Sequence, residues 1–289
     1  MKAALEKKSS IKLRNGKHIG YETYGNKNNF PIFYFHGWPG SRFELKNIPL
    51  NKKKCYVIAL ERPGYGISDP IANFKILDWP NIVLEVANIL KIKKFSVIGV
   101  SGGAPFAIAC AYLIKKKRLR SVAIVCGLAP HRAKGMNKGK VRLLLHYGKK
   151  PIFSWFLLNL IRLRILTSGL EKSFIKWKTK IPLPKSDLKL FTLNRGTQLI
   201  KNFQEAVKYG ITGVHRDTRL YANDWGFNLK DIKQKLYIWH GSSDLTVPVI
   251  TTDYYKIKLK KREIFIKQNE GHFSICYNYM NNIIQQVSE

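Results

Sequence analysis

Apolar residues in this chain come in short blocks with a regular rhythm. HIGYETYG, residues 18–25, alternates like a strand with one buried face. PIFYFHG (31–37) and CYVIALE (55–61) are continuous apolar runs, as expected of strands covered on both sides. DWPNIVLEVANILKI (78–92) carries apolar residues at helical spacing, with Asp78 as the expected N-cap and Pro80 in the first turn. FSVIGV (95–100) reads as another covered strand, GAPFAIACAYLIKKK (103–117) as a helix, and SVAIVCG (121–127) as the next strand.

Strands alternating with helices predict an α/β fold, a mostly parallel central sheet with helices on both faces. The rhythm stops at residue 131. From 131 to 225 the chain reads as helix-rich and basic, with no clear covered strand. It resumes with the strand KLYIWHG (235–241), a helix from about Val247 to Lys258, the strand REIFIKQ (262–268) and a last helix from about Phe273 to Val287. The expected organisation is one core, residues 1–130 and 226–289, interrupted by a helical cap at 131–225. The aromatics Trp155, Phe156, Trp177, Tyr221 and Trp225 are expected in the interior of that cap rather than against substrate.

The 289 residues suffice for one large domain, and 45% hydrophobic content is globular. MKAALEKKSSIKLRNG, at the start, lacks the apolar centre of a secretory signal. PIFSWFLLNLI (151–161), at 11 residues, is too short to span a bilayer. A soluble, cytoplasmic protein is expected. Cys55, Cys110, Cys126 and Cys276 lie in apolar runs without metal-ligand spacing, so buried free thiols are expected.

The net charge of +33 invites a nucleic-acid or anionic-membrane reading. Lysine, however, outnumbers arginine 38 to 13, whereas phosphate and base recognition favour arginine's planar fork. No specific nucleic-acid binding is expected. Residues 131–185 still hold 14 Lys/Arg against the single acid Glu171, which leaves weak attraction to anionic substrates or surfaces open.

One stretch carries chemistry. Gly99-Val100-Ser101-Gly102-Gly103 follows a covered strand and opens a helix. A sharp turn there strains the serine backbone, and neighbours without side chains permit it. The helix start favours developing negative charge. A serine hydroxyl needs a base. His272 follows the strand 262–268, on the sheet edge where Ser101 is expected. Asp244 follows the strand 235–241 and supplies an acid to orient the histidine. CGLAP, after 121–126, offers no carboxylate at the other common place. Backbone N–H groups of Trp38, in HGWPGS (36–41), and of Gly102 can meet at a substrate carbonyl oxygen.

With these residues the chain resembles the α/β-hydrolase superfamily over nearly its whole length. His36-Gly37-Trp38-Pro39 matches the oxyanion loop. Arg62-Pro63-Gly64-Tyr65-Gly66-Ile67-Ser68-Asp69 matches a structural loop that lines the pocket in the family. Gly99 to Gly103 match the nucleophile elbow, and Asp244 and His272 match the acid and base. Glu61 stands where the family usually has Asp, a departure expected to be minor. HGWPG resembles the loop of epoxide hydrolases, but those and the haloalkane dehalogenases use an aspartate nucleophile. Proline iminopeptidases usually carry Trp beside the serine, where this chain has Val100 and Gly102.

The resemblance implies a serine esterase for small or medium acyl substrates, needing no metal or organic cofactor. Other chemistry on the same residues remains open: carbon–carbon hydrolysis, perhydrolysis or aminopeptidase-like cleavage. So does a non-enzymatic ligand sensor on this fold.

Overall fold

Apolar runs become the middle of one sheet because helices cover both of its faces. The computed structural model describes residues 9–167 and 182–289. Its strands are β1 (Ser10–Lys12), β2 (His18–Gly25), β3 (Pro31–Phe35), β4 (Tyr56–Leu60), β5 (Phe95–Val100), β6 (Leu119–Val125), β7 (Leu236–Gly241) and β8 (Arg262–Lys267). Its helices are α1 (Trp79–Ile89), α2 (Ala104–Leu113), α3 (Val141–Gly148), α4 (Pro151–Leu166), α5 (Lys185–Leu188), α6 (Leu193–Ala206), α7 (Thr212–Tyr221), α8 (Thr251–Lys258) and α9 (Ser274–Ser288).

The strands form one sheet in the order β1-β2-β4-β3-β5-β6-β7-β8. The β1–β2 and β2–β4 pairs are antiparallel, and every pair from β4 to β8 is parallel. This is the α/β fold expected of the alternating runs. Side chains of successive strand residues point to opposite faces, and the core divides accordingly. Phe33, Phe35, Val97 and Ile124 pack toward α1 and α2, while Ile32, Tyr34, Ile98 and Val125 pack toward Met280, Ile283 and Ile284 of α9.

Register decides what meets at the carboxyl edge of the sheet. Phe35 pairs with Gly99, Val100 with Val125, Val125 with Trp239, and Gly241 with Lys267. The loops after β3, β5, β7 and β8 therefore emerge side by side. Helices α3 to α7 lie between β6 and β7 in the chain.

Several expectations change. The strand expected over 121–127 starts earlier, at Leu119, and β1 had no apolar signal long enough to register. Asp78 precedes α1 without capping it: its Oδ2 accepts the Lys75 N–H at 2.7 Å and closes the preceding turn. Of the five aromatics expected inside the inserted segment, Tyr221 and Trp225 are buried in the main core. Trp155 and Phe156 are exposed, because α4 turns them away from its packed side. Trp177 lies outside the described residues.

The β5–α2 turn depends on missing side chains. A Cβ on Gly103 would overlap the Phe35 carbonyl, and one on Gly99 would stand 2.6 Å from Ala107 Cβ. Gly103 has ordinary helical dihedrals, so steric overlap alone sets the cost of substitution there. Gly103→Ala is expected to destabilise the fold by about 1–3 kcal/mol. Urea unfolding checks this, and an unchanged midpoint would mean the turn has room to spare.

Candidate active site

Ser101 sits at φ 50°, a left-handed conformation that a serine adopts only when its surroundings impose it. The strained turn lifts the side chain off the edge of the sheet. His272 follows β8 and Asp244 follows β7, and the three side chains meet there. His272 Nε2 lies 3.0 Å from Ser101 Oγ, and His272 Nδ1 lies 2.7 Å from Asp244 Oδ2.

Asp244 is fully committed. Its Oδ1 accepts the N–H groups of Thr246 at 2.8 Å and Val247 at 2.9 Å. Burial pushes this carboxyl up, but His272 and His240 outweigh burial and hold it well below the usual carboxylate range. An ionised Asp244 only accepts, so the proton between the pair belongs to His272 Nδ1. His272 Nε2 is then the acceptor facing the serine hydroxyl.

His240 was not singled out by the sequence. Its Nε2 lies 2.8 Å from the Val247 carbonyl, which makes Nε2 the protonated nitrogen. The same N–H lies 3.4 Å from Asp244 Oδ2. The available signal was its position four residues before Asp244, at the end of β7.

Two further acids position backbone around the site. Glu44 is half-buried and accepts the Gly37 N–H with both oxygens, at 3.0 and 3.1 Å, and the Tyr34 hydroxyl at 2.7 Å. It braces the loop that carries Trp38. Asp187, from α5, reaches the start of α9, which has no capping side chain of its own. Its carboxylate accepts the N–H groups of His272 at 3.0 Å, Phe273 at 3.0 Å and Ser274 at 2.9 Å. One residue from the segment between β6 and β7 therefore satisfies the helix end and fixes the backbone of the histidine. Burial pushes the Asp187 carboxyl up against the pull of these donors.

The loop 62–69, expected to line the pocket, lies beneath it instead. Arg62 is completely buried, donating to the carbonyls of His36 at 2.7 Å and Gly37 at 3.1 Å. Its Nε pairs with Asp217 of α7 at 2.6 Å. Arg216 joins that carboxylate from the other side at 2.5 Å. Tyr221, also on α7, donates to the Gly102 carbonyl at 2.8 Å. Glu61 is fully buried: its carboxyl pairs with Arg42 at 2.6 Å and occupies the space that Gly20 and Gly66 leave open. Burial pushes it up to about 7.

Among the described residues, Cys126, Asp244 and His272 bring donor atoms within 4.8 Å of one another. They suit a metal poorly. Asp244 and His272 use those atoms on each other, and burial pushes the Cys126 thiol up, away from the thiolate that binds metals. All four cysteines are buried free thiols.

Ser101 and His272 open onto a cavity of 740 Å³. Its walls include Trp38, Leu158, Ile161, Ile165, Phe191 and Phe203. Such a volume takes a small-to-medium organic molecule.

A model of the alpha/beta hydrolase fold family matches residues 31–279. The chain belongs to this family. It is 22% identical over 301 aligned positions, 94% of each chain, to a Mycoplasma genitalium protein whose name proposes a proline iminopeptidase. It is 28% identical to the uncharacterized hydrolase YugF of Bacillus subtilis, over 39% of this chain and 42% of that protein's length. An esterase from Exiguobacterium antarcticum superposes with a TM-score of 0.68 at 17% identity, covering 97% of this chain and 99% of that one. At that identity the likeness speaks for the fold. Among the described residues, no helix is long and apolar enough to cross a membrane.

Asp187→Ala leaves three backbone N–H groups at the start of α9 without an acceptor. The expected loss is about 1–3 kcal/mol in urea unfolding, partly recovered by Asp187→Asn, which keeps one acceptor oxygen. An unchanged midpoint in Asp187→Ala would show that the contact carries no load.

Proposed function

We propose that this hydrolase cleaves carboxylic esters of small or medium size through an acyl-enzyme on Ser101. The observation that carries the reading is the unbroken line Ser101 Oγ–His272–Asp244, with gaps of 3.0 and 2.7 Å, facing a 740 Å³ cavity. Ser101 Oγ attacks the ester carbonyl as His272 Nε2 takes its proton. Asp244 holds Nδ1–H and stabilises the imidazolium. Collapse of the tetrahedral intermediate breaks the carbon–oxygen bond, and His272 returns the proton to the departing alkoxide. Water then attacks the acyl-enzyme, and the same residues release the acid.

The oxyanion is assigned to the N–H groups of Trp38 and Gly102. Trp38 N stands 3.2 Å from the point a Gly102 Cβ would occupy, so the two backbones face one small space. Among the described residues, the Trp38 N–H meets no acceptor. Donors held ready for a charge that has yet to form are what such a site requires. The helices of 131–225 serve as the cap, since α4 and α6 contribute Leu158, Ile161, Ile165 and Phe203 to the cavity wall.

An aminopeptidase reading is disfavoured by charge. Holding a substrate ammonium takes a carboxylate in the pocket. Among the described residues, the only acid lining it is Glu44, and both of its oxygens already serve Gly37.

The test is steady-state hydrolysis of p-nitrophenyl acetate, butyrate and octanoate beside an aminoacyl anilide. The wild type is expected to turn over esters only. Ser101→Ala is expected to keep its unfolding midpoint and lose roughly four to six orders of magnitude in kcat. Full turnover in Ser101→Ala, or cleavage of the anilide alone, would overturn the reading.

A further inference from the structure

Helix α4 is apolar on both sides. Its inner side is conventional: Ser154 and Leu158 are buried, and Leu158, Ile161 and Ile165 line the cavity above Ser101. Its outer side should be polar in a helix that meets only water. Instead Ile152 is 76% exposed, Phe156 64%, Leu160 65% and Leu163 62%. At 3.6 residues per turn these four fall on one stripe, and the exposed Phe153 and Trp155 flank it. The Phe153 ring stacks on Tyr147 of α3, which carries the aromatic edge onto the neighbouring helix. Contiguous exposed apolar surface of this kind marks an interaction site.

Charge identifies what covers it. Lys149 and Lys150 are exposed at one end of α4, and Arg164 is exposed near the other. Residues 131–185 carry 14 Lys/Arg and one acid, within a chain of net charge +33. A second copy would bring two such basic faces together and be repelled. An anionic bilayer offers the opposite charge at its surface and hydrocarbon just beneath. Bulky apolar and aromatic side chains flanked by lysine and arginine are the makeup of a helix lying in the plane of that interface. A segment this short lies on a bilayer rather than spanning it.

We propose that α4 docks this protein on anionic lipid surfaces, with Ile152, Phe156, Leu160 and Leu163 entering the acyl region and the flanking basic residues meeting headgroup phosphates. Because the inner side of α4 walls the cavity, docking sets the pocket one helix away from the lipid. Docking does not depend on the chemistry at Ser101.

The experiment is co-sedimentation with vesicles of phosphatidylcholine alone and of equal parts phosphatidylcholine and phosphatidylglycerol, at low and high salt. Proteins compared are the wild type, Ser101→Ala and the double variant Phe156→Glu/Leu160→Glu. The wild type and Ser101→Ala are expected to bind the mixed vesicles at least about tenfold more strongly than the neutral ones, and to weaken with salt. The double variant is expected to lose at least about tenfold in binding while hydrolysing a short soluble ester at the wild-type rate. Failure of the wild type to bind the mixed vesicles overturns the proposal, as does undiminished binding by the double variant. A concentration-dependent dimer in sedimentation velocity, lost in the double variant and unaccompanied by lipid binding, would assign the face to a second copy and also overturn it. None of these results bears on whether Ser101 is the nucleophile.

Discussion

The turn between β5 and α2 is the constraint on which the rest of this molecule depends. A strand buried on both faces must reverse into a helix within three residues, and Ser101 takes a left-handed backbone to do it. That conformation costs about 1–3 kcal/mol, and it persists because its surroundings leave no alternative. Gly99 lies against Ala107, Gly103 against the Phe35 carbonyl, and Gly102 against Trp38 and Tyr221. The same close approaches bring the β3 loop within reach of the serine. Packing of the turn and geometry of the site are thus one problem with one solution.

Helices that lie between β6 and β7 in the chain help hold the site in register. Asp217 pairs with the buried Arg62, which fixes the His36 and Gly37 carbonyls, while Asp187 fixes the His272 backbone. Tyr221 reaches the Gly102 carbonyl. Removing one partner from a buried ion pair strands the other charge, at about 3–5 kcal/mol. The segment between β6 and β7 therefore bears on both the His36–Gly37 loop and the His272 backbone. These helices touch the site both through such polar contacts and through the apolar side chains they give to the cavity wall.

Much of this was legible in the sequence. Covered strands announce themselves as apolar runs, and their order placed Ser101, Asp244 and His272 on one sheet edge, where the structure brings them together. What escaped was polar. Asp187 and Asp217 have no local signature, because their partners His272 and Arg62 are fixed only by the folded chain, while His240 and Glu44 have nearer partners but stand in no motif. Scarcity was the available hint: residues 131–225 keep only five acids, and two of them hold the site together. Trp155 and Phe156 escaped for another reason. Helix α4 is apolar on both sides, so periodicity could not say which side faces out. The surroundings of Glu61 escaped as well, because they depend on Gly20 and Gly66, one of them forty-one positions earlier in the chain.

The central claim is that Ser101 becomes covalently acylated. Stopped-flow release of p-nitrophenol from a short-chain ester tests it most directly, wild type beside Ser101→Ala. The account predicts a burst stoichiometric with enzyme, followed by steady turnover, with both absent in the mutant. A burst that persists in Ser101→Ala would contradict it, because the acylated group would then lie elsewhere.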